Sequence, residues 1–517
     1  MQINKAKKKL AAIDIGAETG RVIIGHMNEN SLKLEELYRF PSLPSQSNKH
    51  LYTDVNRIWT NIQSGLQRTA DMYKEQISSI GVDSWGVDFA LLDSDSSLLG
   101  MPYHYRDSRT GTILQRAAEI ISLDELYFRT GNQLMPFNSL FQLFATKLQE
   151  PEVLERASTL LMLPDLFHYW LCGHKSSEFS NATTTQCYDQ INECWAAELL
   201  EKFEIPSNLF QSVSLPGTQI GEILPGLAKS LGIPSYNVIL PATHDTSSAI
   251  IAVPASREDY LYISSGTWSL VGLELEKPLI TDESLAVNIT NEGLYRGMTS
   301  FLKIVPGMWM LQQCKSEWQA LSKNYTYAEL TELAMTTGRH GALVDVTDET
   351  FLLPGKMVLR IQDYCQASGQ NIPTREGEIV RCIIESLSCL YRSLLNDFER
   401  ILNKRLDVIH IVGGGSRNHL LNQMTADNCN RTVISGPEEA TAAGNILIQA
   451  MGLGLLGKVS DIRQIIRNSF QPISWQPQHS DQWDERFSYY KGICIKMKKL
   501  ENSNLTEQFG TKGKNTP

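Results

Sequence analysis

An acidic residue at the end of an apolar run is the first candidate for chemistry. Residues 10–16 read LAAIDIG, so Asp14 lies near the end of a predicted buried strand, and residues 17–21 form a turn that contains Gly20. Glycine lets backbone N–H groups approach a phosphate, and a carboxylate such as that of Asp14 can hold Mg²⁺ through its water shell. The alternative interpretation is a hairpin turn beside a solvated aspartate.

Two later glycine-containing turns also follow predicted strands. Residues 264–269 read SSGTWS, where hydroxyl groups around Gly266 suit a second phosphate contact. Residues 413–415 are three glycines after the apolar run 408–412, and they admit a flat ligand such as an adenine or ribose against the backbone. The alternatives are a second hairpin turn and a flexible loop, although three glycines directly after a buried strand favour the loop less.

Two further segments contain carboxylates that suit a sugar substrate. Residues 243–246 read THDT after an apolar run, so Asp245 can accept a proton from a substrate hydroxyl or, alternatively, cap a helix. Residues 83–89 read DSWGVDF, which places Trp85 and Gly86 between two aspartates. Aromatic faces cover the C–H face of a sugar while carboxylates bind its hydroxyls, although a core tryptophan with surface acids is the alternative.

The elements that position these residues alternate between strand and helix patterns. Strands are predicted over residues 21–25, 32–38, 236–240 and 260–264. Apolar residues at three- and four-residue spacing predict a helix that begins near Asp54 and another over residues 376–403. This alternation predicts an α/β layered fold. Glycine-rich turns after strands in both halves indicate a coarse duplication with a boundary near residue 250, and the polar last twenty residues predict a disordered tail.

Composition argues against several classes of protein. The 517 residues are 42% hydrophobic and 20% charged, as in ordinary globular proteins, and no long uncharged apolar run predicts a membrane span. A net charge of −10 argues against bulk nucleic-acid binding. Nine scattered cysteines without a CxxC pair predict a reduced, cytoplasmic protein without a zinc site, and Asp14 interrupts the apolar stretch that a secretory signal would need.

The order of these sites along the chain resembles that of the FGGY carbohydrate kinases. The similarity extends from about residue 10 to about residue 455. It rests on blocks at residues 14–21 (DIGAETGR), 83–93 (DSWGVDFALLD), 105–110 (YRDSRT), 130–143, 161–173, 180–186 (SNATTTQ), 243–249 (THDTSSA), 264–270 (SSGTWSL), 288–293 (NITNEG), 410–429 and 438–445 (EEATAAGN).

The resemblance implies a two-lobed α/β fold of the actin/hexokinase-like ATPase type, with a duplicated ribonuclease H-like core and an interlobe cleft. The N-terminal lobe is expected over residues 1–250, with the sugar site and the first phosphate loop. The nucleotide-binding C-terminal lobe is expected over residues 251–475, followed by a C-terminal extension with its polar tail over residues 476–517.

Individual roles also follow from the resemblance. Asp245 is expected to take the proton from the attacking sugar hydroxyl, and Gly86, His244 and Thr246 are expected at the sugar. The expected ATP contacts are Ala17, Glu18, Thr19, Gly20, Arg21, Thr267, Gln312 and Gly414. Asp14 is expected to position Mg²⁺–ATP, and the Glu18 side chain is expected to point away from the phosphates because of its charge.

The blocks around Trp85, Asn181 and Asp245 together resemble one group of the family, which phosphorylates the 1-hydroxyl of L-rhamnulose with ATP. One position departs from it, because Ile304 lies where relatives often carry an asparagine that contacts the sugar. A kinase for another ketose, such as L-fuculose or xylulose, is therefore the alternative, and a non-catalytic sugar-binding protein of the same fold is a second one. The expected partners are the small ketose and ATP, with neither nucleic acid nor membrane.

Overall fold

The computed structural model describes residues 8–73, 77–338, 341–478 and 480–510. The strands are β1 Lys8–Ile15, β2 Thr19–Met27, β3 Leu32–Pro41, β4 Ser45–Ser47, β5 His50–Tyr52, β6 Ile77–Ser84, β7 Phe89–Leu92, β8 Thr159–Met162, β9 Ser177–Glu178, β10 Tyr188–Asp189, β11 Cys194–Trp195, β12 Val213–Ser214, β13 Gln219–Glu222, β14 Asn237–Ile239, β15 Tyr260–Ser265, β16 Trp268–Leu275, β17 Thr290–Gly293, β18 Thr299–Pro306, β19 Val408–Val412, β20 Thr432–Ser435 and β21 Ile473–Trp475.

The helices connect these strands along the chain. They are α1 Val55–Tyr73, α2 Ile113–Ala117, α3 Leu123–Thr130, α4 Ser139–Gln149, α5 Pro151–Arg156, α6 Leu163–Cys172, α7 Phe179–Ala182, α8 Ala197–Lys202, α9 Pro225–Leu231, α10 Asp245–Ile251, α11 Asp282–Val287, α12 Trp309–Ala320, α13 Tyr327–Thr336, α14 Met357–Ala367, α15 Glu376–Leu402, α16 His419–Cys429, α17 Ala440–Gly452, α18 Val459–Phe470 and α19 Ser480–Gly510.

The chain divides into two compact units. The first unit comprises residues 1–256, 272–303 and 439–472. The second unit comprises residues 257–271, 304–438 and 473–517. The first unit therefore also contains β17, α17 and α18, which come from later parts of the chain.

A six-stranded sheet in the order β13-β14-β6-β1-β2-β3 forms the core of the first unit. Strand β1 is antiparallel to β2 and parallel to β6, and residues 10–15 of β1 are all buried. Helix α17 is tied to this sheet by Gln449, whose side-chain amide donates to the Ala11 carbonyl (2.9 Å) and accepts from the Ser79 hydroxyl (2.7 Å). The buried strand and the strand–helix alternation that the sequence predicts are confirmed.

The second unit repeats this local plan. Strand β15 lies next to β16 on one side and is parallel to β19 on the other, and β19 is parallel to β20. Helix α15 buries an apolar face of regular spacing that includes Ile383, Leu387, Leu394 and Phe398. In each unit a strand is followed by a tight turn, a neighbouring strand and a later parallel strand, which is the duplication that the sequence indicates.

The C-terminal segment differs from the sequence-based expectation. Helix α19 runs to Gly510, so residues 498–510 are helical although their polar composition predicts a disordered tail. Buried Phe487, Tyr490 and Ile493 anchor the earlier part of this helix. Extension of a formed helix costs less than nucleation of a new one, so polar residues continue it. Residues 511–517 lie outside the described residues.

All nine cysteines are free thiols. Within the part of the chain that the structure describes, no helix is both long enough and apolar enough to cross a membrane.

Candidate active site

The first predicted phosphate turn is the hairpin between β1 and β2. The Gly16 amide donates to the Thr19 carbonyl (3.1 Å), and the Ser42 hydroxyl donates to the Gly16 carbonyl (2.5 Å). Ala17 is half-buried, while Glu18 and Thr19 are exposed, so the Glu18 carboxylate is in solvent. The hairpin alternative therefore describes the backbone correctly. Asp14, however, is only 5% exposed and is not the solvated aspartate of that alternative.

A row of charged side chains crosses three neighbouring strands beneath this turn. Asp14 on β1 pairs in register with Arg21 on β2 and with Asp83 on β6. The Arg21 guanidinium donates to Asp14 Oδ2 and to Glu439 Oε2, each at 2.5 Å. Burial lowers the pKa of Arg21, but the carboxylates of Asp14 and Glu439 outweigh burial and leave that pKa raised. Arg21 therefore stays charged and offsets part of the negative charge at the site.

Asp83 is fully buried in this row. Its Oδ2 accepts a hydrogen bond from the Asn445 side-chain amide, whereas its Oδ1 is buried without a hydrogen-bond partner. Burial is the largest cause that raises the pKa of Asp83 well above its usual value, followed by the nearby charge of Asp14. The energetic cost of a second buried carboxylate beside Asp14 thus favours the neutral acid at position 83.

The tryptophan of the block at residues 83–89 is held by the second aspartate of that block. Trp85 Nε1 donates to Asp88 Oδ2 (2.8 Å), and Gln142 Nε2 donates to Asp88 Oδ1 (3.3 Å). Burial raises the pKa of Asp88 to about 7, although these donors lower it. Both aspartates of the block are 0% exposed, so they are not surface acids. Asp88 positions Trp85 and has no accessible carboxylate for a substrate.

Gly86 lies against the block at residues 180–186. A Cβ at Gly86 would lie 3.0 Å from the Thr184 Oγ1 atom. The same hydroxyl oxygen accepts a hydrogen bond from the Val87 amide (3.3 Å). The backbone at Gly86 is therefore seated on Thr184, with little room for any side chain.

Asp245 begins a helix and its side chain does not act as the N-cap. The N-cap of α10 is His244, and Asp245 Oδ1 accepts from the Thr246 amide (2.6 Å) and hydroxyl (3.3 Å). The segment is joined to the end of β6, because the Ser84 amide donates to the Thr243 carbonyl (2.9 Å). This register brings Asp245 to the same end of the sheet as the Asp14–Asp83 pair.

Asp245 is the accessible carboxylate of that group. Its side chain is 27% exposed, compared with 7% for Asp14. Burial raises the pKa of Asp245, the neighbouring His244 lowers it, and the charge of Asp14 raises it. A partly desolvated carboxylate of raised pKa is a suitable acceptor for a hydroxyl proton.

The residue that anchors this segment, Glu178, is not among those that the sequence indicates. Its buried carboxylate accepts from the Thr243 amide (3.0 Å) and hydroxyl (2.8 Å) and from the Ser180 amide (3.0 Å). The Ser180 hydroxyl in turn accepts from the His244 amide (3.1 Å). The position of Glu178 next to the SNATTTQ block was the available signal, but contacts across 65 residues of chain are not visible in a sequence.

In the second unit the structure brings the predicted nucleotide contacts close to one turn. The Thr267 carbonyl accepts from the amides of Gly307 (3.0 Å) and Trp309 (3.2 Å), which joins the β15–β16 turn to the start of α12. Gln312 lies in the first turn of that helix, and its Oε1 is buried without a hydrogen-bond partner. A buried, unpartnered amide oxygen of this kind suits a ligand donor.

The three-glycine loop packs against the same strand. A Cβ at Gly415 would lie 2.0 Å from the Ser265 Oγ atom, whereas a Cβ at Gly414 would meet nothing within 4 Å. Gly414 is exposed, so its backbone is open to a ligand. Thr267 and Gly414 therefore flank the end of β15, and Ile304 is half-buried on β18.

The residues around Asp14 suit a Mg²⁺ ion that is held only in part by the protein. Within the described ranges, no group of three or more His, Cys, Asp or Glu side chains is arranged as a metal site. Mg²⁺ is commonly held by one or two carboxylates together with substrate phosphates and water. Asp14 fits that mode of binding, and a cation held there would favour the ionised form of Asp83, whose Oδ1 has no hydrogen-bond partner.

Comparison with known proteins identifies the family. Residues 10–252 match the family model for the N-terminal domain of the FGGY family of carbohydrate kinases, and residues 261–453 match the model for its C-terminal domain. A rhamnulokinase from Bacteroides thetaiotaomicron is 39% identical over 490 residues, which cover 95% of this chain and 100% of the relative. The chain belongs to the FGGY family of carbohydrate kinases. A Bacillus subtilis rhamnulokinase is 36% identical over 91% of this FGGY chain and 96% of its own length.

Solved structures of FGGY kinases share the fold. Ligand-bound xylulose kinase from Lactobacillus acidophilus superposes with a TM-score of 0.79 at 18% identity, over 94% of this chain and 97% of its own. Plasmodium falciparum glycerol kinase with ADP superposes with a TM-score of 0.74 at 14% identity, over 95% of this chain and 98% of its own. The predicted fold class is confirmed, and the chain is a carbohydrate kinase.

Proposed function

We propose that this FGGY kinase transfers the γ-phosphoryl group of ATP to the 1-hydroxyl of L-rhamnulose. The observation that carries the proposal is the arrangement around Asp245, a partly exposed carboxylate beside the buried Asp14 and Asp83. The similarity to rhamnulokinases over nearly the whole chain supports L-rhamnulose as the ketose.

In the proposed reaction, Asp245 accepts the proton of the sugar 1-hydroxyl as its oxygen forms a bond to the γ-phosphorus. The bond between the γ-phosphorus and the bridging oxygen of ADP breaks, and ADP leaves. Phosphoryl transfer depends mainly on alignment and charge stabilisation, so most residues of the site position the reactants. Mg²⁺ held beside Asp14 would supply positive charge to the phosphates.

The sugar is proposed to bind at Gly86, His244 and Thr246. The lack of room for a side chain at Gly86 and the buried setting of His244 support a close contact with a small ligand. Residues 17–21 are proposed to contact the phosphates, because the tip of this hairpin, at Glu18 and Thr19, is exposed beside Asp14.

Thr267, Gln312 and Gly414 are proposed as the remaining ATP contacts. The unpartnered amide oxygen of Gln312 and the open face of Gly414 support this assignment. The proposed sugar-binding lobe is residues 1–250, and the proposed nucleotide-binding lobe is residues 251–475, with an extension over 476–517. The unpaired cysteines support a reducing compartment such as the cytoplasm.

The test is ADP release from ATP–Mg²⁺ with L-rhamnulose, L-fuculose, L-xylulose, D-xylulose and L-ribulose, each compared with a blank without sugar. We expect kcat/KM to be highest for L-rhamnulose. Preference for a different ketose would support the kinase activity but contradict L-rhamnulose as the substrate. A sugar-induced rise in melting temperature without ADP release from any of the five would contradict the proposed activity and support a binding protein.

A further inference from the structure

Glu292 is a buried carboxylate that the proposed chemistry has not used. It lies on β17, whose four residues are all buried, and Glu292 itself is 2% exposed. A carboxylate in this setting needs a positively charged or hydrogen-bonding partner. Its surroundings therefore indicate what it does.

The backbone next to Glu292 is fixed against the segment that contains Asp245. The Gly293 amide donates to the Thr183 hydroxyl (2.6 Å), and the Ser247 hydroxyl donates to the Gly293 carbonyl (3.1 Å). Ser247 lies on α10, the helix that begins with Asp245. The strand and the helix are thus held together at this point, so the side chain of Glu292 has a defined position relative to α10.

His244 lies between Glu292 and Asp245. Its Nδ1 is 3.3 Å from Glu292 Oε2, and its Nε2 is 3.5 Å from Asp245 Oδ1. Both His244 Nδ1 and Glu292 Oε2 are buried, and neither has another hydrogen-bond partner, so a hydrogen bond between these two atoms would satisfy both. A proton on Nδ1 faces the carboxylate of Glu292, and a proton on Nε2 faces the carboxylate of Asp245.

We propose that Glu292 is a positioning residue, whose carboxylate keeps His244 as the imidazolium. The imidazolium in turn orients Asp245 toward the sugar hydroxyl and stabilises its ionised form. This inference rests on the proposed role of Asp245 as the proton acceptor. It gives a role in the reaction to Glu292, in the NITNEG segment at residues 288–293, to which the proposed function assigns none.

The charges that face His244 agree with this role. Burial lowers the pKa of His244, but Glu292 has the largest opposing effect, and Asp245 and Glu178 add to it, so the pKa is raised. Asp245 is faced in turn by His244, which lowers the pKa of Asp245, and by Asp14, which raises it. The carboxyl group of Asp83 interacts electrostatically with Asp14 and Asp245. Without Glu292, His244 would lose its proton at lower pH, and Asp245 would lose the cation that opposes Asp14.

The test compares Glu292→Gln with Glu274→Gln. In Glu292→Gln the side chain retains its size and can still accept from Nδ1, but it has no charge. The Glu274 side chain is also largely shielded from solvent (7% exposed), but it pairs with Arg463 (2.5 Å), so its replacement is a matched control. The pKa of His244 is measured by NMR on protein labelled in the histidine ring, with the resonance assigned through His244→Gln.

We expect the pKa of His244 to fall by about 1 pH unit or more in Glu292→Gln and to stay unchanged in Glu274→Gln. The basic limb of the kcat/KM profile should move to lower pH by a similar amount, because the imidazolium is lost earlier. The acidic limb should move to higher pH, because Asp245 ionises less readily. Glu292→Asp, which retains the charge, should return the pKa of His244 toward that of the wild type.

An unchanged pKa of His244 in Glu292→Gln would overturn the inference. An equal fall in the pKa of His244 in Glu292→Asp and Glu292→Gln would also overturn the inference, because such a result would indicate that the size of the side chain matters and its charge does not. Failure of the proposed function is distinguishable, because it would appear as wild-type protein without turnover of any ketose, while the NMR titration would still report on Glu292.

Discussion

Asp14 and Asp83 lie directly opposite each other on the adjacent parallel strands β1 and β6. Two carboxylates this close within a buried row do not both ionise readily, and Arg21 contacts only the first of them. The structure therefore favours the neutral acid at Asp83. This pair lies at the same end of the sheet as the partly exposed Asp245, whose pKa is raised by burial and also by the charge of Asp14.

Replacement of Asp245 by asparagine should preserve the fold and slow the reaction. Asparagine has nearly the same shape but cannot accept the hydroxyl proton, and general-base assistance is worth roughly 10²–10⁴-fold in rate. We expect kcat to fall by a factor in that range, as measured by ADP release, with the melting temperature nearly unchanged. The exposed Asp282→Asn, at the start of α11, is the control that should retain activity. Near-normal turnover of Asp245→Asn would refute its role as proton acceptor.

Asp83→Asn should make the protein more stable at neutral and basic pH than the wild type. The raised pKa of Asp83 means that the folded state retains a proton that the unfolded state releases. Wild-type stability therefore falls as pH rises above the unfolded value of about 4. Asp83→Asn has no such proton to release. Its free energy of unfolding, measured with urea in the presence of EDTA to remove metal, should therefore exceed that of the wild type by an amount that grows between about pH 5 and pH 8. An equal difference in unfolding free energy at both pH values would show that Asp83 is ionised in the folded protein.

Gly86→Ala should weaken sugar binding more than it slows turnover. The added Cβ would lie 3.0–3.2 Å from atoms of the Thr184 side chain, so either the backbone or Thr184 must move. Overpacking of this kind costs about 1–3 kcal/mol. Carried by the sugar-bound state, that cost corresponds to a KM for the ketose higher by about 5- to 150-fold. Gly226→Ala, on α9, is the control, because a Cβ there meets nothing within 4 Å. Equal KM values for the two variants would exclude a sugar contact at Gly86.

Two neighbouring glycines should respond differently to alanine. In Gly414→Ala the new Cβ enters open space, so stability should be unchanged, while the KM for ATP rises if adenosine lies against this backbone. In Gly415→Ala the new Cβ overlaps the Ser265 hydroxyl, so the free energy of unfolding should fall by about 1–3 kcal/mol. Thermal unfolding and ATP titration measure the two effects. An unchanged KM for ATP in Gly414→Ala would remove Gly414 from the nucleotide site.

Local sequence was sufficient for many of the elements. The run that ends near Asp14 is a buried strand followed by a tight turn, and the regular apolar spacing over residues 376–403 forms α15. These features depend on backbone preference and on which face of an element is apolar, and both are properties of neighbouring residues. The tail differs, because residues 498–510 continue a helix whose anchors are earlier in the chain.

The individual alternatives were not decided by local sequence. Asp88 was a plausible sugar ligand from its position two residues after Gly86, but in the structure it is buried and holds Trp85. Asp245 was a plausible N-cap, but His244 occupies that position. For Asp88 the deciding fact is the burial of its side chain, and for Asp245 it is the residue at which α10 begins. Both facts depend on elements distant in sequence.

By itself, the sequence determined the family, the order of the turns and the residue types available for chemistry, because these are encoded in short segments. Only the tertiary structure decided which charges meet. Arg21 pairs with Glu439 across 418 residues, Glu178 anchors Thr243, and Glu292 faces His244. Contacts of this kind arise when the packing of the core brings distant strands and helices together. The pKa values of Asp83, His244 and Asp245 depend on those contacts and on burial, neither of which is a property of any one segment.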